Sequence, residues 1–139
     1  MNKEGTKAEI PSLDCLSRLT ASISQFPQVI ALIHYGSTAR ARATPLSDID
    51  ICVVTLSGLP HDTWETIMSH TGPGLDLVIF SDLSPSVKYR VIREGKPLFI
   101  RNEKMWHRKK VDALRQYLDI QPLIERNTRR ILKRPVTAP

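Results

Sequence analysis

Val29-Ile30-Ala31-Leu32-Ile33-His34-Tyr35-Gly36-Ser37, followed after ten residues by Asp48-Ile49-Asp50-Ile51-Cys52-Val53-Val54, is the part of this chain that decides its fold. Both stretches are short apolar runs rich in β-branched residues, the composition of buried strands. The first run stops at a glycine. The second opens with an alternation of aspartate and isoleucine. Side chains two apart on a strand share a face. Asp48 and Asp50 therefore project together, about 7 Å apart at Cα by strand rise, while Ile49 and Ile51 turn the other way, into the core.

Upstream, Leu13, Leu16, Leu19, Ile23 and Phe26 recur at helical spacing behind Pro11 and a capping Ser12. They predict a helix over about 12–26, ended by Pro27, after a flexible stretch at 1–10. Ser37 to about Ala43 reads as a short helix and Thr44-Pro45-Leu46-Ser47 as a loop.

Downstream, residues 61–70 are a helix candidate broken by Gly72-Pro73-Gly74. Leu75-Asp76-Leu77-Val78-Ile79-Phe80 is a third strand. Ser84 or Ser86 caps a helix to about Glu94, stopped by Gly95-Lys96-Pro97, and Leu98-Phe99-Ile100 is a short fourth strand. From Lys104 to about Leu132 the pattern is a long helix, with Pro122 marking a kink or a break. Arg134 to Pro139 reads as a loose tail. Alternating helices and strands predict an α/β (α+β) fold, a mixed sheet of about four strands with flanking helices and a helical C-terminal segment. The length suits one domain: a core over 12–100 and a basic helical segment over 103–133.

The chemistry lies in Gly36-Ser37, Asp48-Ile49-Asp50 and Asp76. Two carboxylates on one face of an apolar strand repel each other, and a hard divalent cation with oxygen ligands relieves that. If the Asp76 strand lies beside the Asp48 strand, three acids can hold two metal ions, and Asp76 can also accept a proton. A glycine after a buried strand allows a sharp turn and close approach to a ligand. The helix start behind it favours anions, and the Ser37 hydroxyl adds a donor. Arg40 and Arg42, about one turn on, can meet outer phosphate oxygens. Each piece alone has an ordinary explanation: Gly-Ser is common turn punctuation, and Asp-x-Asp occurs on solvated strand edges. Order and spacing together carry the reading of a metal-assisted nucleotidyl transfer.

Gly36-Ser37, ten residues, then Asp48-Ile49-Asp50 resembles the signature of the DNA polymerase β-like nucleotidyltransferase superfamily. Gly36-Ser37-Thr38-Ala39-Arg40 followed by Ser47-Asp48-Ile49-Asp50-Ile51 resembles, more closely, the minimal nucleotidyltransferase (MNT) antitoxins of HEPN–MNT toxin–antitoxin pairs. Leu75-Asp76-Leu77-Val78 fits that family's third-acid strand, and Tyr117 to Leu123 is similar to a stretch near its C-terminus. The likeness covers roughly residues 29–124. Ala41 stands where many relatives have glycine, which leaves the three acids intact.

The resemblance implies a protein adenylyltransferase that moves AMP from ATP to a tyrosine hydroxyl of a HEPN ribonuclease toxin and silences it. It implies Mg²⁺, as two ions, on Asp48, Asp50 and Asp76. It also implies ATP phosphates on Gly36 and Ser37, and a hetero-oligomer with the toxin. The alternative within the same family is a catalytically silent antitoxin that neutralises by binding alone. A small-molecule nucleotidyltransferase would need an acceptor pocket, usually from an added domain.

Charge is unevenly placed. Residues 1–100 hold nine Lys/Arg against ten Asp/Glu, whereas residues 101–139 hold eleven against four. The basic segment can meet an acidic protein or lie in water, with direct nucleic-acid binding the less favoured use. No apolar run reaches bilayer length and no signal-peptide pattern opens the chain, so a cytoplasmic protein with no membrane contact is expected. Cys15 and Cys52 fit no metal spacing and read as reduced, buried thiols. His34 reads as a core residue, Trp64 and Trp106 as packing or interface anchors, and His61, His70 and His107 as too scattered for a metal. Lys88, Arg90 and Arg93 read first as a solvated helix face, with nucleotide or partner contact as the alternative.

Overall fold

The computed structural model describes residues 13–36 and 49–133. The expected Ser12 cap, the short helix after Ser37 and the C-terminal tail lie outside them. So do four of the candidate site residues: Ser37, Arg40, Arg42 and Asp48.

Within the described residues the chain runs α1 (Leu13–Ile23), β1 (Val29–Tyr35), β2 (Ile49–Thr55), α2 (His61–Met68), β3 (Leu75–Ile79), a 3₁₀ turn (Phe80–Asp82), α3 (Pro85–Glu94), β4 (Lys96–Ile100) and α4 (Glu103–Lys133). The four strands form one sheet in the order β3-β2-β1-β4. β1 is antiparallel to both β2 and β4, and β2 is parallel to β3. This is the mixed four-stranded sheet with flanking helices that the strand and helix patterns predict.

Strand alternation divides the core into two layers. On one face, Leu16, Leu19 and Ile23 of α1 and Ile67 of α2 pack on Leu32, Ile51, Val53 and Leu77. On the other, Val91 of α3 and Trp106 and Ala113 of α4 pack on Ile33, Tyr35, Cys52 and Val54. Ile49 and Ile51 are buried in the first layer, as expected, so Asp50 belongs to the α3/α4 face with Cys52. Trp106 is the anchor of α4, set edge-on against Phe80 with ring centroids 5.4 Å apart. Trp64 is partly exposed and stacks on His61. Cys52 is buried, and burial pushes its thiol pKa upward; Cys15 is only half-buried, less than expected.

Several boundaries differ from the sequence expectation. α1 ends at Ile23 rather than near residue 26. The next residues turn, with Phe26 N–H donating to the Ile23 carbonyl and Val29 N–H to that of Phe26. Arg101 stabilises this turn from the far end of the chain, donating from Nε to the Val29 carbonyl at 2.9 Å and from Nη2 to the carbonyls of Ser24 and Phe26. β4 starts at Lys96, directly after α3, so Pro97 lies in a strand and not in a turn. β4 is an edge strand, where a residue without an N–H is tolerated, and the β1–β4 register is irregular between Leu32 and Ile33. Ser84 is the cap of α3, its hydroxyl accepting from Val87 N–H. α4 continues through Pro122 as one helix.

Candidate active site

The acids arrive at one end of the sheet by strand register. In the parallel pair β2–β3, Asp50 stands opposite Asp76, with Ile49 opposite Leu75 and Ile51 opposite Leu77. Neighbouring strands lie about 4.8 Å apart, and residues in register face the same way. The two carboxylates therefore leave the sheet side by side on the α3/α4 face. Asp76 is exposed and Asp50 half-buried.

The third strand supplies the floor. β1 is antiparallel to β2 and pairs Tyr35 with Asp50, so Gly36 follows at the same end of the sheet. Gly36 has φ +86°, a left-handed conformation that side-chain-bearing residues rarely adopt. A Cβ added there would run into the Asp50 carboxylate, with Cγ only 3.3 Å away and Oδ2 nearer still. Glycine is thus required twice, for the turn and for the room that Asp50 occupies.

Tyr35 reports the electrostatics of this corner. It is 5% exposed. Its pKa is pushed up to about 12, first by burial and then by Coulombic interaction with Asp50, Cys52 and Asp76, with Arg90 acting the other way. One phenol thus senses both acids and the guanidinium of Arg90. Arg90 is exposed on α3, whose end joins β4 where Lys96 pairs with His34. Arg90 is exposed, as the solvated-face reading expects, and its charge is near enough to act on Tyr35. His34, next to Tyr35, is half-buried; desolvation and then Lys96 lower its pKa and keep it neutral at physiological pH.

Two carboxylates in register, one of them open to solvent, are the hard oxygen donors that a divalent cation takes. Among the described residues no three His, Cys, Asp or Glu side chains converge on a possible metal position. The third acid of the expected set, Asp48, lies outside them. The structure thus brings together Gly36, Asp50 and Asp76, and says nothing of Ser37, Arg40, Arg42 or Asp48. A cavity of about 420 Å³ between Thr55, Trp64, Ile79 and Lys109 lies at the opposite end of β2 and β3 and shares no residue with the acid corner.

A parallel strand pair carrying paired acids beside a glycine turn is the arrangement of a nucleotidyltransferase core. The chain belongs to the polymerase beta nucleotidyltransferase family, whose model matches residues 17–104. A provisionally named protein adenylyltransferase of Methanocaldococcus jannaschii is 35% identical over 72 residues, a match covering 52% of this chain and 57% of that relative. Solved structures share the fold. A chain of a toxin–antitoxin complex with AMP-PNP superposes with TM-score 0.66 at 21% identity, over 84% of this chain and 95% of the other. A chain from the complex of tri-AMPylated Shewanella oneidensis HEPN toxin with MNT antitoxin gives TM-score 0.61 at 20% identity, over 86% and 94%. None of the helices among the described residues is long and apolar enough to cross a membrane.

Proposed function

We propose that this chain is a magnesium-dependent protein adenylyltransferase of the MNT antitoxin type, moving AMP from ATP to a tyrosine hydroxyl of a HEPN-domain ribonuclease. The observation that carries the reading is the register of Asp50 with Asp76 beside the Gly36 turn. The family, the adenylyltransferase name of the M. jannaschii relative, and neighbours crystallised with AMP-PNP or an AMPylated toxin support it.

In this reading Asp50 and Asp76, with Asp48, hold Mg²⁺, which supplies charge neutralisation for the nucleotide phosphates. The Gly36-Ser37 turn brings backbone N–H groups against the β- and γ-phosphates, and glycine at 36 leaves the room that the Asp50 carboxylate occupies. Arg40 and Arg42 follow on the same segment. Arg90 reaches the outer phosphate oxygens from α3. The acceptor hydroxyl gives its proton to Asp76 and attacks the α-phosphorus. The new O–P bond forms as the bond to the β-phosphate oxygen breaks, and pyrophosphate leaves with the electron pair. Positioning and charge neutralisation account for most of the acceleration in such transfers.

The test is mass spectrometry of the HEPN protein after incubation with this chain, ATP and Mg²⁺. Added AMP on a tyrosine, lost with Asp50→Asn and without Mg²⁺, is the expected result. Toxin neutralised equally well by Asp48→Asn and Asp50→Asn chains, with no AMP added, would identify a docking antitoxin instead.

A further inference from the structure

The end of the sheet away from the acids holds the cavity of about 420 Å³, a volume in the range of small-molecule sites. Unequal strand lengths open it. The last pair between β2 and β3 is Val53 with Ile79, after which the chain leaves β3 for the 3₁₀ turn. β2 runs on beside β1 as far as Thr55, which pairs with Val29. Thr55 therefore has a strand on one side and the cavity on the other. It is only 5% exposed, yet its hydroxyl makes no hydrogen bond with any described residue. Such a buried hydroxyl costs free energy until a partner arrives, and this one lines a space with room for a partner.

More of the wall is unsatisfied. Asp82 of the 3₁₀ turn and Lys109 of α4 both line the cavity, and neither forms an ion pair among the described residues. Pro60 opens α2 without a side-chain cap. Of the first three N–H groups of that helix, only that of Thr63 has an acceptor among the described residues, the Asp62 carboxylate at 3.0 Å. Leu59 and His61 bring this helix end to the wall. The remainder is apolar: Leu59, Ile79 and the indole of Trp64, which is 38% exposed and backed by the His61 ring at 5.7 Å.

The unpaired Lys109 and Asp82 call for a ligand carrying charge of both signs. A phosphate ester would suit Lys109 and be repelled by Asp82. A peptide terminus has only one of the two charges on its backbone. A free α-amino acid has both, close together, and its carboxylate also suits the uncapped helix amides. Trp64 favours a flat ring beside it.

We propose that this cavity is a binding site for a free aromatic α-amino acid, with the carboxylate on Lys109 and the first turn of α2, the ammonium on Asp82, and the ring against Trp64. Thr55 gives the bound polar group its remaining hydrogen bond. The site is separate from the acid corner and does not depend on the adenylyltransferase reading.

The test is calorimetry on the full chain with four probes: L-phenylalanine, N-acetyl-L-phenylalanine without the ammonium, L-phenylalaninamide without the carboxylate, and L-alanine without the ring. Phenylalanine is expected to bind saturably, and each of the others about tenfold more weakly, the worth of one charge-assisted hydrogen bond or one buried ring. Asp82→Asn should weaken phenylalanine about tenfold and leave the N-acetyl compound unchanged. Lys109→Gln should do the same with respect to the amide. Thr55→Val should weaken phenylalanine by about fivefold while the melting temperature holds or rises, since the hydroxyl has no partner in the protein. Asp82 is exposed, so its variant keeps the test valid if Lys109→Gln, at a half-buried position, does not fold. No saturable binding of phenylalanine overturns the proposal. So does equal binding of the capped compounds or of alanine, or unchanged affinity in Asp82→Asn. Competition by AMP-PNP also overturns it, because the amino acid would then lie at the acid corner.

Discussion

The carboxylate of Asp50 fills the space that a side chain on residue 36 would need. Turn and acid are therefore one unit, built from the end of β1 and the start of β2. Gly36→Ala should strain the backbone at φ +86° and displace Asp50. A cost of about 1–2 kcal/mol is expected in urea unfolding. Under the proposed adenylyltransferase reading, AMP transfer should fall by about 100-fold or more, because the turn and the Asp50 carboxylate move together.

Asp76 separates stability from chemistry. It is exposed, so Asp76→Asn should change unfolding stability by less than about 0.5 kcal/mol. Transfer should fall by about 10²–10⁴-fold. The residual rate of the variant should also need more Mg²⁺ for half-saturation, measured by titrating the metal at fixed ATP.

The Tyr35 phenol has a predictable alkaline signature. Its folded pKa of about 12 lies above the ordinary value of 10.0 that it regains on unfolding. Its contribution to stability is thus complete below pH 10 and is lost as pH rises through about 12, since the unfolded phenol ionises first. Ultraviolet absorbance titration should show the Tyr35 phenol ionising only near pH 12. Tyr35→Phe should flatten that limb of the stability curve. His34 acts at the other extreme: its pKa is lowered, so its contribution is present above pH 6.5 and is lost as pH falls through the folded value.

Arg90 is the cation whose charge reaches the buried Tyr35 from α3. Arg90→Gln should raise KM for ATP by about tenfold, the worth of a lost charge-assisted hydrogen bond. It should also move the Tyr35 pKa further upward. Arg93→Gln, at an exposed position of the same helix, serves as the control that changes neither.

Much of this architecture is legible in neighbouring residues. Alternation in Asp48-Ile49-Asp50-Ile51 identifies the strand and which of its faces carries acid. The steps between Leu16, Leu19 and Ile23 identify α1, and the serines at 84 and 86 bracket the start of α3, which the structure fixes at Ser84. Such patterns are readable because side-chain direction repeats over a few residues. The exact end of α1 is not: it depends on Arg101 reaching the carbonyls of Ser24 and Phe26 across more than seventy residues. Nor is the early start of β4, since Pro97 is tolerable in a strand only at a sheet edge.

The acid corner divides in the same way. Periodicity places a lone Asp76 in an apolar strand, but no local pattern says which strand is its neighbour or in which direction it runs. Parallel pairing of β2 with β3, in the register that sets 50 against 76, settles both. A slip of one residue would turn Asp76 to the α1/α2 face and bury a carboxylate among leucines. That penalty is collected over the whole packed sheet, so the pairing of the two acids is a property of the assembled core and cannot be read from either strand alone.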